Sequence, residues 1–227
     1  MNGVIVDIDD TLINTRRRMH RVWNLLLNRE VPTEAVETQG LEQIFMNFAS
    51  KEQKSQVKEF QKRFWNILLC LDESGVESLK LHKPIPHAAE VLQHWSRTAK
   101  IIYLTGRTEN MRSRTLDELR RFGFPTETTE LVMFNPEDYA RPKGENLSRP
   151  TLTDTRSNLS SKICEKFNVV RVIDDYPGYF PIFKRLQIPD RIGFLRPKKY
   201  KPQHYLDKGA TKVIERWKNL QDQKSTC

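Results

Sequence analysis

Val4-Ile5-Val6-Asp7-Ile8-Asp9-Asp10-Thr11-Leu12 is the stretch on which the fold turns. Three β-branched residues in a row favour a strand, and an unbroken apolar run marks one covered on both faces, as in a parallel sheet. The run then stops on carboxylates, as expected at the C-terminal end of such a strand, where the chain leaves the core.

Working outward, the next 70 residues or so change character. Residues 16–27, 33–48 and 51–71 each place apolar side chains at helical spacing with charge opposite. In the third, Val57, Phe60, Phe64, Ile67, Leu68 and Leu71 form one apolar face. Residues 14–82 therefore predict an inserted all-helical subdomain, ended by Glu73-Ser74-Gly75, with Lys83-Pro84-Ile85-Pro86 marking the return to the core. Strands and helices alternate beyond it. Residues 100–104, 130–134, 169–173 and 191–195 read as strands, and 88–96, 108–122, 157–167 and 182–186 as helices. Between them, residues 135–155 read as a polar, proline-bearing connection. The expectation is an α/β core over 1–13 and 83–227: a Rossmann-like parallel sheet with helices on both faces.

Open parallel sheets bind ligands beyond the carboxyl ends of their strands. Asp7, Asp9 and Thr11 follow the first strand; Thr105, Gly106 and Arg107 follow the second; Asp174 and Asp175 follow the strand over 169–173. Four carboxylates brought that close repel one another unless a cation offsets them, and hard oxygen donors suit Mg2+.

With those residues in view, the chain resembles the haloacid dehalogenase superfamily. Asp7-Ile8-Asp9-Asp10-Thr11 is similar to its DxDxT motif. Ile101-Ile102-Tyr103-Leu104-Thr105 is similar to its second motif, and Val172-Ile173-Asp174-Asp175 to its fourth. The three occur in order, each behind an expected strand. The resemblance implies Asp7 as nucleophile and Asp9 as general acid and then base. It implies Mg2+ held by the carboxylates of Asp7 and Asp174 and the backbone carbonyl of Asp9, with Asp175 in support. Thr105 would bond a phosphoryl oxygen, and Thr11, Gly106 and Arg107 would contact substrate. For the third-motif cation Arg156 comes first, standing just ahead of the expected helix, then Lys162; Lys143 is less well aimed. The resemblance also makes the helical insertion a cap that closes over the site, with Arg16-Arg17-Arg18 as cations able to face the substrate. The second acid, Asp9, favours phosphate chemistry, because an alkoxide leaving group needs a proton.

Composition narrows the partners. The 227 residues carry a net charge of +9, and the stretch from Arg141 onward holds nineteen Lys and Arg against nine Asp and Glu. Such a field attracts anions. A small phosphorylated metabolite or nucleotide is the favoured substrate. A phosphorylated nucleic-acid end is the disfavoured alternative: residues 105–121 also resemble polynucleotide 3′-phosphatase domains, and Arg196-Pro197-Lys198-Lys199-Tyr200-Lys201 would track a phosphate backbone. A third reading keeps the fold as a phosphate-binding regulator without turnover. The presence of both Asp7 and Asp9 weighs against it. No apolar run approaches the roughly 18 residues of a membrane span, and no leader is expected ahead of the first strand. Cys70, Cys164 and Cys227 have no metal-binding spacing and read as reduced thiols of a cytoplasmic protein, the first two packed on helices.

Overall fold

The computed structural model describes residues 1–138, 151–196 and 198–221. Lys143, Pro197, Cys227, the tail from Asp222 and residues 139–150 of the expected connection lie outside the described residues. Contacts divide the chain into two units, Met1–Ile13 with Pro84–Cys227, and Asn14–Lys83.

In the first unit six strands form one sheet. They are β1 (Asn2–Val6), β4 (Lys100–Thr108), β5 (Glu130–Phe134), β6 (Asn168–Asp174), β7 (Asp190–Phe194) and β8 (Lys212–Ile214). Two short strands, β2 (Ile13–Asn14) and β3 (Lys83–Pro84), pair separately. The main sheet runs in the order β5-β4-β1-β6-β7-β8, and every neighbouring pair is parallel. Strand alternation divides the apolar side chains between two cores. Val4, Val6, Ile101, Tyr103 and Ile173 pack with Leu92 and Trp95 of the helix Ala88–Trp95 and with Trp217. Ile5, Ile102, Leu104 and Val172 pack on the other face with Ile163, Phe180, Phe183 and Tyr205. Both faces of β1 are thus covered, which is why its sequence is apolar throughout. Progression turns from β4 and β5 on one side of β1 to β6, β7 and β8 on the other, so β1 sits at a topological switch point.

Several expected boundaries move. β4 runs four residues past the expected end, through Thr105, Gly106 and Arg107, with a register irregularity against β5. The helix expected from residue 157 starts at Leu152, because Thr151 and Asp154 form a reciprocal capping box. β8 is an additional strand. Its three residues are too short for periodicity to mark.

The second unit has its own core around Val22, Trp23, Leu26, Phe45, Phe64 and Ile67. Trp23 lies 5.1 Å from Phe64, and Phe45 lies 4.5 Å from Phe60, centroid to centroid. The expected helix over 33–48 is two, Thr33–Thr38 and Leu41–Phe48, parted at Gln39-Gly40. Val57–Leu68 is separate from the short helix Lys51–Ser55, and Val57 and Leu71 are exposed rather than part of its buried face. Glu73-Ser74-Gly75 begins a helix, Glu73–Ser78, instead of ending one. Asp72 caps it by accepting the Gly75 N–H at 2.7 Å. Arg18 is buried inside this unit, donating to Ser78 Oγ (2.9 Å) and to the carbonyls of Ile67 and Leu68. It is therefore a structural cation and not an outward-facing one. Cys70 is a buried thiol in the turn after Val57–Leu68, at φ 54°, whose Sγ accepts from Arg18 Nη2 at 3.3 Å, and Cys164 is a half-buried thiol on Leu152–Lys166.

Candidate active site

The neighbouring strands β1 and β6 deliver the acids to one edge, and β4 on the other side of β1 brings Thr105. Asp7 is the residue after β1, and its N–H donates to the Ile173 carbonyl at 3.0 Å, which ties it to the end of β6. Asp174 closes β6. Asp7, Asp174 and Asp175 are buried, and each offers a carboxylate oxygen within 4.8 Å of the others. Burial pushes the Asp7 carboxyl well above the usual carboxylate range; the Asp174 charge adds to this and Arg156 opposes it. Asp174 is also pushed up by burial, against the pull of Arg156. Asp175 is pushed up to about 7 by burial, with Arg196 opposing. Three hard oxygen donors so crowded fit a divalent cation such as Mg2+.

Arg156 comes from the fifth position of Leu152–Lys166, inside the helix and not ahead of it. Its Nη2 donates to Asp7 Oδ1 (3.3 Å) and to Asp174 Oδ2, and its Nη1 donates to the Leu104 carbonyl (2.8 Å). The guanidinium lies 4.8 Å from the Tyr179 ring centroid. Lys162, the second candidate for this cation, is exposed six residues along the same helix, roughly 240° around the axis. It does not join the acids.

Thr11 donates its hydroxyl to Asp7 Oδ2 at 3.2 Å. Asp10 turns the loop in the left-handed region, at φ 59°. Thr105 is buried, and its Oγ1 accepts the Arg107 N–H at 3.1 Å. Gly106 is half-buried between them. The side chains of Asp9 and Arg107 engage each other. Asp9 does not join the three-acid group; Arg107 donates to its carboxylate through Nε and Nη2 (2.7 Å for the shortest), and through Nη1 to Glu118 Oε2 at 2.7 Å. Arg107, expected on substrate, is engaged by protein acids.

Two participants escape motif reading. Arg196, just past β7, pairs with Asp10 at 2.5 Å and with Asp175 at 3.0 Å. In sequence it belongs to a basic run, yet its place after a strand on this edge was a usable signal. Tyr205 donates its hydroxyl to the Asp175 carbonyl at 2.7 Å. Nothing local in sequence points to it.

Solved structures share this architecture. A Clostridium difficile protein provisionally named a phosphatase aligns at TM-score 0.66, with 15% identity over 97% of this chain and 96% of that one. A haloacid dehalogenase-like family hydrolase from Streptococcus pneumoniae aligns at TM-score 0.63, with 11% identity over 96% and 95%. The fold is that of the haloacid dehalogenase-like hydrolases. A Bacillus cereus protein, provisionally named a nucleotidase, is 30% identical over 120 residues, which is 52% of this chain and 58% of that protein. The chain thus spans a little over half the length of this curated relative. No family model matches the chain.

Proposed function

We propose that this chain is a Mg2+-dependent phosphohydrolase acting on the phosphomonoester of a small metabolite or nucleotide through an aspartyl-phosphate on Asp7. The observation that carries the reading is the buried trio of Asp7, Asp174 and Asp175 at the end of the central strands, with Arg156 on two of them.

Asp7 is the nucleophile: its carboxylate oxygen attacks phosphorus, dividing one hard hydrolysis into two easier steps. Arg156 and Thr11 fix the direction of that carboxylate. Asp9 gives a proton to the leaving oxygen and then takes one from the water that cleaves the intermediate. Asp7, Asp174 and Asp175 would hold Mg2+, which would supply positive charge against that of the phosphoryl oxygens. Thr105, at the end of β4's regular pairing, binds a phosphoryl oxygen. By its place in the chain the helical unit is assigned the family's cap role. The name of the B. cereus relative favours nucleotides among the substrates to be tried.

Phosphate release from sugar phosphates, nucleoside monophosphates and 3′- and 5′-phosphorylated oligonucleotides, with Mg2+ and with a chelator, tests the reading. Mg2+-dependent release from a small-molecule class supports it. Release confined to oligonucleotides replaces it with end processing, and no release from a folded protein removes it.

A further inference from the structure

We propose that Arg107 is a positioning residue that holds the Asp9 carboxyl group for proton transfer, and that Glu118 and Thr115 hold Arg107 in turn. The inference rests on the phosphohydrolase reading above and concerns side chains which that reading leaves without a role. Arg107, Glu118 and Thr115 are all buried, whereas the Asp9 side chain is 37% exposed. Nε of Arg107 donates to Asp9 Oδ1 and Oδ2 at 3.1 and 3.0 Å, and Nη2 donates to Oδ1 at 2.7 Å. On the inner side Nη1 donates to Glu118 Oε2 at 2.7 Å and to Thr115 Oγ1 at 3.3 Å. Four of the five N–H groups of the fork therefore go to protein acceptors. A cation built to grip substrate points its donors outward; here the buried fork spends them on Asp9 and on its own anchors.

The geometry has a chemical use. Asp9 alone has two side-chain torsions and half-exposed surroundings, so its carboxyl would sample several directions. A planar fork bonded on both edges confines it. Glu118 and Thr115 lie on the helix Arg112–Arg121, which follows β4, so one strand–helix unit sets the direction of an acid carried by the loop after β1. In the first chemical step the Asp7 O–P bond forms as the bond from phosphorus to the leaving oxygen breaks. The electron pair of that bond goes to the leaving oxygen, which takes the proton from the Asp9 carboxyl. Positioning of Asp9 therefore matters in proportion to the leaving group's need for that proton.

The experiment measures kcat/KM for an alkyl phosphomonoester and for p-nitrophenyl phosphate, whose nitrophenolate departs without a proton. The proteins are wild type, Asp9→Asn, Arg107→Lys and Glu118→Gln, each checked by thermal melting. Because kcat/KM covers only the steps through release of the alcohol, later hydrolysis of the intermediate does not enter. Arg107→Lys is expected to lose about 10²-fold on the alkyl ester and tenfold or less on the nitrophenyl ester, following the pattern of Asp9→Asn. Glu118→Gln, which keeps the shape of the anchor, is expected to shift the same ratio by a smaller factor. Equal losses on both esters in a folded Arg107→Lys, or no loss on either, overturn the positioning role. If the folded wild type releases phosphate from neither ester nor from any member of the wider panel, the phosphohydrolase reading itself falls.

Discussion

Arg156 meets Asp7 and Asp174 from inside the core, where a charge survives only with partners. Arg156→Leu leaves two buried acids without their counter-charge and is expected to cost about 3–5 kcal/mol, read by denaturant unfolding. Arg156→Lys keeps the charge but loses the fork, so it should fold and lose activity by at least about tenfold. The acids themselves give a pH signature. Asp175 sits at about 7 in the folded chain, above the ordinary carboxylate value, so the fold retains a proton there that the unfolded chain gives up. Its contribution to stability is full at low pH and is lost as pH rises through about 7. Melting in a chelator across pH 5.5 to 8.5 should show that decline; a flat or rising profile would contradict the burial argument. At this scale the legible residues are those ending apolar strands: Asp7, Thr105 and Asp174 each follow a run that announces itself. Glu118 is not legible in that way, because its contact with Arg107 is set by the packing of a helix, and the signal of Arg196 behind β7 is masked by the basic run around it.

The element that decides the site is the helix Leu152–Lys166. Its capping box starts it early enough to place Arg156 within the helix. Thr151→Ala removes both bonds of the Thr151 hydroxyl to Asp154 and is expected to cost about 1 kcal/mol, measured by thermal or denaturant unfolding, with the loss falling on the element that aims Arg156. No cost would show that packing alone sets its start. A second element effect sits on β7. A Cβ at Gly193 would meet the Tyr205 ring at 2.5 Å, and Tyr205 supports the Asp175 carbonyl. Gly193→Ala should therefore destabilise by about 1–3 kcal/mol. Helix and strand identities follow from period 3.6 against unbroken apolar runs, and most of the core elements obey them. Boundaries depart where tertiary bonds intervene, as at the capping box, at the Asp72 cap and along the extended end of β4.

Across the whole molecule, charge is the feature that sequence alone describes least well. The basic second half suggests a surface field, but part of it is consumed internally. Arg156 and Arg196 serve the acid group, Arg171 and Lys212 pair with Asp190, and Lys166 pairs with Glu130. That use weakens the case for a backbone-tracking surface and leaves the +9 total as a poor guide to partners. Among the described residues no helix is long and apolar enough to cross a membrane. A cation bound by the three acids couples to stability through mass action: Mg2+ at 100 times its dissociation constant should add about 2.7 kcal/mol, visible as a rise in Tm that Asp174→Asn diminishes.

The most direct test of the account is to find where the phosphoryl group goes. The protein is mixed with Mg2+ and the substrate that the release assay identifies, quenched in acid during turnover, digested and weighed by mass spectrometry. A phosphoryl group on the peptide bearing Asp7, absent from folded and inactive Asp7→Asn, is the predicted result. Turnover by Asp7→Asn near the wild-type rate, or a phosphoryl group on another residue, would contradict it.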